Sequence, residues 1–385
     1  MKKIGLITVQ RAMNYGAQLQ CYATQRFLNE KGYECVIIDL SRPCHKEYVE
    51  SSDFVQHSIQ RKPFKKNVLD LLRKIKRFIW KNLFNIEDKH SLFLQRYNYL
   101  LDDAKKKFAE FESLMPSTRC YNSISELYKD PPIFDVYLTG SDQLWNPTQP
   151  YCLEPYFLSF APNGAFKVSY ATSIGIEDVS DNVKKDFTKW LSSYNKISVR
   201  EYQAKNILEK CTSKQISVHI DPTFLISKDE WSKLSEQTLF DKYVFLFSLQ
   251  YSRELLEYAK TVSDILGVKL VYIAHNEMDF PALNDSIGIL NASVTEWLGY
   301  IKNAEYVITN SFHGSAFSII FEKKFKVYIS NNRGSRIVNL LANFNLESCL
   351  IRDVSKVDIH NSIDFSYVQE KINEECRRTN EYLEF

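Results

Sequence analysis

Short apolar runs rich in β-branched residues alternate along this chain with longer stretches whose apolar positions recur at helical spacing, the pattern of an α/β protein. Residues 4–9 form a compact apolar run, residues 14–31 run into a helix that Gly32 is suited to end, and residues 34–40 form a second run. Together they predict a β-α-β unit. Strands are further predicted at 134–139, 166–172, 196–199 and 217–220, each ending in polar or small residues, so that polar groups gather along one sheet edge. The stretch 235–242 is charged and reads as an interdomain segment. A second α/β unit follows, with strands at 243–249, 269–274, 306–309 and 326–329 and helices at 253–266, 294–302, 312–321, 334–341 and 367–382.

Residues 45–115 interrupt this rhythm. Within them, positions 65–84 place Val68, Leu69, Leu72, Ile75, Ile79 and Leu83 at helical spacing, amid nine basic residues between positions 61 and 81 and the single acid Asp70, with Trp80 and Phe84 at its edges. Such a helix either rests on an anionic membrane surface or packs on its own domain with its charges in water. The expected organisation is a first Rossmann-like domain over 1–235 carrying this basic helical insert at 45–115, a second over 240–350, and a C-terminal tail and helix over 351–385.

Composition narrows the class. The 385 residues are 44% hydrophobic and 25% charged, which fits two globular domains. The net charge of +2 excludes a general polyanion binder, so no nucleic acid is expected. Eight scattered cysteines with no CxxC spacing predict neither a structural metal nor a disulfide framework. No apolar run has the length of a signal peptide or a membrane span, which predicts a cytoplasmic protein.

The stretch 306–318, YVITNSFHGSAFS, reads as strand, tight turn and helix. Asn310 and Ser311 are both good N-cap residues, and His313 falls in the first helical turn, where free N–H groups and the helix dipole favour an anion. In the first half, Asn14 and Gly16 mark the first strand-to-helix turn, while Asp142 and Arg200 follow later strands. Two domains facing a cleft would bring these together with His313 and Arg336. No GxGxxG, GxSxG or HExxH is present, which leaves a cationic and acid–base set suited to transfer from an anionic donor.

The order of motifs resembles the polysaccharide pyruvyl transferase family: NYGAQLQ at 14–20, GSDQLWN at 140–146, YATSIG at 170–175, SVRE at 198–201, DPTFL at 221–225 and TNSFHG at 309–314. The resemblance runs over residues 1–345. It implies two Rossmann-like domains facing a cleft, a glycosyltransferase-B-like fold. It also implies transfer of the enolpyruvyl unit of phosphoenolpyruvate onto a sugar of a capsule, exopolysaccharide or cell-wall glycan precursor, making a pyruvate ketal. Phosphoenolpyruvate would be a donor substrate and no cofactor is expected. The sugar acceptor is lipid-linked in some such systems, which would bring the protein to the inner membrane face. By resemblance, Arg200 and His313 hold and activate the donor. Asp142 is the expected base, Arg336 a second donor contact, and Asn14, Tyr15, Gly16, Ser141, Trp145, Asn146 and Ser311 the expected substrate-binding residues. Two other classes remain open: a nucleotide-sugar glycosyltransferase, for which Glu296 or Glu305 would have to bind the ribose, and a non-catalytic glycan-binding or assembly protein.

Overall fold

The structure, a computed structural model, describes residues 1–42, 45, 47–49, 87–149, 154–249, 252–274, 285–329, 334–360 and 362–385, with the side chains of 87–97 excepted. The basic stretch 61–84 lies outside the described residues.

The first domain begins with β1 (Lys3–Ile7), α1 (Tyr15–Glu30) and β2 (Glu34–Ile37). A long helix α2 (Glu87–Glu112) and a short α3 (Ile124–Lys129) precede β3 (Val136–Thr139). Then come β4 (Phe166–Ser169), α4 (Asp181–Leu191), β5 (Ile197–Val199), α5 (Tyr202–Leu208), β6 (Ile216–Val218) and α6 (Lys228–Leu234). The strands are parallel in the order β2-β1-β3-β4, and β5-β6 continue them through bridges from Lys196 to Val168 and from Val199 to Thr172.

The second domain contains β7 (Tyr243–Phe247), α7 (Arg253–Leu266), β8 (Lys269–Ile273), β9 (Ser286–Ile289) and α8 (Val294–Asn303). It continues with β10 (Tyr306–Thr309), α9 (Phe312–Ile320), β11 (Phe325–Tyr328), α10 (Ser335–Asn343) and β12 (Leu350–Ile351). Its sheet is parallel throughout, ordered β12-β11-β10-β7-β8-β9. The expected α/β architecture of two Rossmann-like units, in a glycosyltransferase-B-like arrangement, is therefore present.

Helix boundaries follow local chemistry. Ser252 caps α7 through Leu255 N, and Gly267 ends it in the left-handed region at φ 66°. Ser293 and Glu296 form a reciprocal capping box on α8.

The domains share one apolar core. Tyr15 at the start of α1 stacks on Trp297 of α8 with ring centroids 5.3 Å apart, and its hydroxyl donates to Ala292 O at 3.2 Å. The final helix, α11 (Phe365–Tyr382), does not extend the second domain but packs back on the first. Tyr382 donates to Ser169 O at 2.8 Å, and Thr379 Oγ1 lies 3.1 Å from His219 Nδ1. Among the described residues no helix is long and apolar enough to cross a membrane.

In each sheet the strand order reverses once. The reversal falls between β1 and β3 in the first and between β7 and β10 in the second. Ligands of open α/β sheets bind beyond the carboxyl ends of strands at such points. The loop after β3 carries Asp142, and the first turn of α9, which follows β10, carries His313.

Candidate functional site

The turn after β10 is built from its own hydroxyls. Thr309 Oγ1 donates to Phe247 O at 2.6 Å and accepts from Ser311 N at 3.0 Å, and Ser311 Oγ then accepts from Gly314 N at 3.2 Å to cap α9. A Cβ on Gly314 would fall 2.4 Å from Thr309 Oγ1, so this close approach requires glycine. The result is a buried His313, 6% exposed, aimed at the first domain.

It meets Asp221, which follows β6 and is itself 1% exposed. His313 Nε2 lies 3.6 Å from Asp221 Oδ2, beyond hydrogen-bond length, and has no hydrogen-bond partner of its own. Asp221 Oδ2 accepts from Arg200 at 2.5 Å and from Ser141 Oγ at 3.2 Å, while Oδ1 accepts from Thr223 N and Oγ1 at 3.1 and 2.8 Å. Burial alone would raise this carboxyl's pKa. The adjacent His313 and Arg200, with the Thr223 N–H, instead hold it well below the usual carboxylate range.

Arg200 reaches across to Asp142, with Nη2 at 3.5 Å from Oδ1, and its guanidinium lies 4.1 Å from the centre of the Phe312 ring. Arg336, at the start of α10, approaches the same Asp142 oxygen to 3.9 Å. With the Gln143 amide oxygen turned towards it, that guanidinium also donates twice to Gln143, at 2.9 and 3.0 Å. Burial would raise the pKa of Asp142, but Arg200, His313 and Arg336 depress it. Its backbone sits at φ 75°, a strained setting for a non-glycine residue that often marks a functional turn. Asp142, Arg200 and Asp221 of the first domain thus meet His313 and Arg336 of the second. The charged groups expected from the sequence do converge, around a carboxylate to which the sequence reading gave no role.

The other expected residues divide. Gly16 lies against His313: a Cβ there would sit 2.0 Å from Nδ1. Ser141 is fully buried and held by Ala171 O and Asp221, and Ser311 is the cap just described. Asn14 is exposed and caps α1 through Ala17 N at 3.0 Å. Tyr15 is interdomain core. Trp145 is also core, stacked on Phe157 at 4.9 Å and donating to Tyr156 O, and Asn146 hydrogen-bonds within its own turn. Sequence reasoning missed Asp221, Gln143 and Glu201. The buried Glu201 accepts on Oε1 from Ser173 Oγ, Ile174 N and Gly175 N at 2.9, 2.9 and 3.0 Å, which fixes the loop whose Ser173 N donates to Asp142 O. The Asp-Pro step after β6 and the Arg-Glu step after β5 were the available signals.

The Polysaccharide pyruvyl transferase family model matches residues 14–332. The chain belongs to this family. That span includes every motif on which the resemblance rested, and Arg200 and His313 stand in two of them. Arg336, which holds Asp142 and Gln143, lies just beyond the matched span of the pyruvyl transferase family.

Solved structures of similar outline include UDP-GlcNAc 2-epimerase from Methanocaldococcus jannaschii, 12% identical over 97% of this chain and 92% of that one, with a TM-score of 0.47. Another is the S. aureus MnaA–UDP co-structure, 12% identical over 97% and 87%, with a TM-score of 0.45. A third is UDP-GlcNAc 2-epimerase from Neisseria meningitidis bound to UDP-GlcNAc, 9% identical over 99% and 93%, with a TM-score of 0.41. Likeness at this level says nothing about activity. No curated protein matches the sequence.

The Gly16 contact gives a direct test of this candidate site. Gly16→Ala removes a poor helix former yet drives a methyl into the His313 ring. With His313 in the role that the resemblance implies, turnover is expected to fall about 10²-fold, the usual cost of displacing a reacting group by about 1 Å. The thermal midpoint should change far less than the rate, and steady-state kinetics beside a melting curve would show the split.

Proposed function

We propose that this chain transfers the enolpyruvyl unit of phosphoenolpyruvate onto two hydroxyls of one sugar in a capsule, exopolysaccharide or cell-wall glycan precursor, forming a cyclic pyruvate ketal and releasing phosphate. The observation that carries this reading is His313 Nε2. It is a buried ring nitrogen without a hydrogen-bond partner, placed among two guanidiniums and two carboxylates drawn from both domains.

Phosphoenolpyruvate carries a carboxylate and a phosphate, and either matches a guanidinium fork. A protonated His313 gives its proton to C3 of the enol, which develops positive charge at C2. A sugar hydroxyl adds its oxygen to C2, and its proton passes to the now neutral imidazole. The C2–O bond to phosphate then breaks, phosphate leaves, and the second hydroxyl adds to C2 with loss of its proton to solvent. Asp221 holds His313 and Arg200 in place throughout. Asp142, kept ionised between two guanidiniums, is a weak proton acceptor, so its surroundings favour positioning Arg200 and Arg336 over serving as base.

The nucleotide-sugar alternative loses its candidate carboxylates. Glu296 completes the α8 capping box and pairs with Lys107 at 3.0 Å. Glu305 is exposed just before β10, at the strand end opposite the site.

Calorimetric titration separates the donors. Wild type is expected to bind phosphoenolpyruvate and not a UDP-sugar. Arg200→Lys keeps the charge but loses the fork and the stacking on Phe312, so donor affinity should weaken at least about tenfold. Tight UDP-sugar binding without phosphoenolpyruvate binding would overturn the reading. Unchanged donor affinity in the lysine variant would make Arg200 a purely structural ion-pair residue.

A further inference from the structure

A second charged cluster lies on the same edge of the first sheet, on the β2 side of β1. Gln10 and Arg11 follow β1, Asp39 follows β2, and Glu112 comes from the last turn of α2. Arg11 Nη1 approaches Asp39 Oδ1 at 3.3 Å, its Nε lies 3.9 Å from Glu112 Oε1, and it also contacts Glu47. Arg11 sits at φ 51°, in the left-handed region.

Two amides point to a ligand. Gln10 is 6% and Gln18 1% exposed. Gln10 Nε2 donates to Asp39 Oδ1 at 2.9 Å, which commits that amide to the cluster, and Gln18 Nε2 donates to Ala12 O of the same loop at 3.3 Å. Yet Oε1 of each is buried with no hydrogen-bond partner among the described residues. Buried polar atoms are seldom left so, and each such acceptor asks for a donor.

We infer that this cluster, centred on Arg11, Asp39 and Glu112, is the subsite that holds the hydroxyls of the acceptor sugar; the inference rests on the transferase reading above. A sugar hydroxyl donates one hydrogen bond and accepts others, so it suits a site that mixes carboxylate and amide acceptors with guanidinium donors. Charge separates this cluster from the donor site. There, two arginines and His313 face two carboxylates. Here, Arg11 and Arg42 face Asp39, Glu47 and Glu112, and burial together with the two guanidiniums lowers the pKa of His45 to about 4, leaving it neutral. Such a balance repels phosphate and carboxylate but accepts a neutral polyol. Burial and the neighbouring Asp39, opposed by Arg11 and Arg42, push Glu112 up to about 7, so it can meet a hydroxyl as either donor or acceptor.

The two sites are neighbours. The loop that starts at Gln10 and Arg11 runs into the first turn of α1, where Gly16 lies against His313, and Thr8 Oγ1 at its base donates to Ser141 O at 3.2 Å.

The test uses the full chain without donor and a panel of methyl glycosides of the common hexoses and N-acetylhexosamines, read by saturation-transfer NMR and titration. At least one glycoside should bind wild type at millimolar concentration. Glu112→Gln, nearly isosteric and on the accessible end of a helix, and Asp39→Asn should each weaken that binding at least about tenfold, the worth of a hydrogen bond to a charged group. Phosphoenolpyruvate affinity should stay within about twofold of wild type. Absence of any glycoside binding to wild type, or binding unchanged in both variants while they remain folded, overturns the inference. If glycoside binding depends on the cluster but phosphoenolpyruvate never binds, the donor reading fails and this inference stands. If phosphoenolpyruvate binds and glycoside binding ignores the cluster, the reverse holds.

Discussion

Replacing His313 with alanine should leave a folded protein whose turnover is lower by about two to four orders of magnitude, the range a positioned acid or base contributes. The side chain is buried but makes no hydrogen bond through Nε2, so its loss strands no polar partner there. What it removes is the proton donor to C3 and one neighbour of Asp221. Donor affinity should fall less than turnover, because Arg200 and Arg336 remain to hold the anion. Single-turnover kinetics with phosphoenolpyruvate, beside a denaturant melt, check both parts. Near-wild-type turnover in the folded variant would remove His313 from the chemistry.

The second large effect is on stability. Arg200 and Asp221 have side chains 3% and 0% exposed, and their 2.5 Å contact is an ion pair with almost no solvent. Asp221→Asn keeps the shape but removes the paired charge, leaving Asp142 at 3.5 Å as the remaining carboxylate contact of the guanidinium among the described residues. Breaking a buried pair by removing one partner costs about 3–5 kcal/mol, a large part of the stability of a typical domain. Urea melts should show that loss at neutral pH. The folded-state pKa of Asp221 is depressed, so its contribution is complete above about pH 4 and is lost only as pH falls towards the folded value. The gap between wild type and variant should therefore be flat from neutrality down to mild acid and narrow only below it. A difference under about 1 kcal/mol would mean the pair is solvent-screened and not the anchor of the site.

These two residues also show what the chain reveals before its structure is known. His313 was legible because everything that positions it is local. A β-branched run, two cap residues and small residues at helical spacing predict strand, turn and helix over a dozen positions, and β10 and α9 follow that outline. The helix at 253–266 was legible for the same reason, with Ser252 and Gly267 marking its ends. Asp221 was not, because its partners are Arg200, 21 positions away, and His313 in the other domain. Only the strand order brings these together, and hydrophobic periodicity carries no information about that order. Tyr15 and Trp145 sit inside motifs that look like one binding surface, yet their side chains fill cores while Gly16 between them touches the site. A motif fixes neighbours in sequence, whereas a helix turns successive residues to different faces. Helix α2 falls inside the expected helical insert but was not placed individually because positions 87–112 are dense in charge, and β9 was missed because SIGI is too short and weakly apolar to stand out.

The central claim is that phosphoenolpyruvate is the donor and its C3 is protonated within this site. The most direct measurement is to incubate the protein in D2O with phosphoenolpyruvate and a panel of glycan acceptors, following phosphate release and the NMR signal of the product methyl group. One deuterium in the methyl of a new pyruvate ketal, with phosphate released in equal amount and both lost in His313→Ala, is the predicted result. UDP release from a nucleotide sugar onto the same acceptors, with no phosphate from phosphoenolpyruvate, would contradict it.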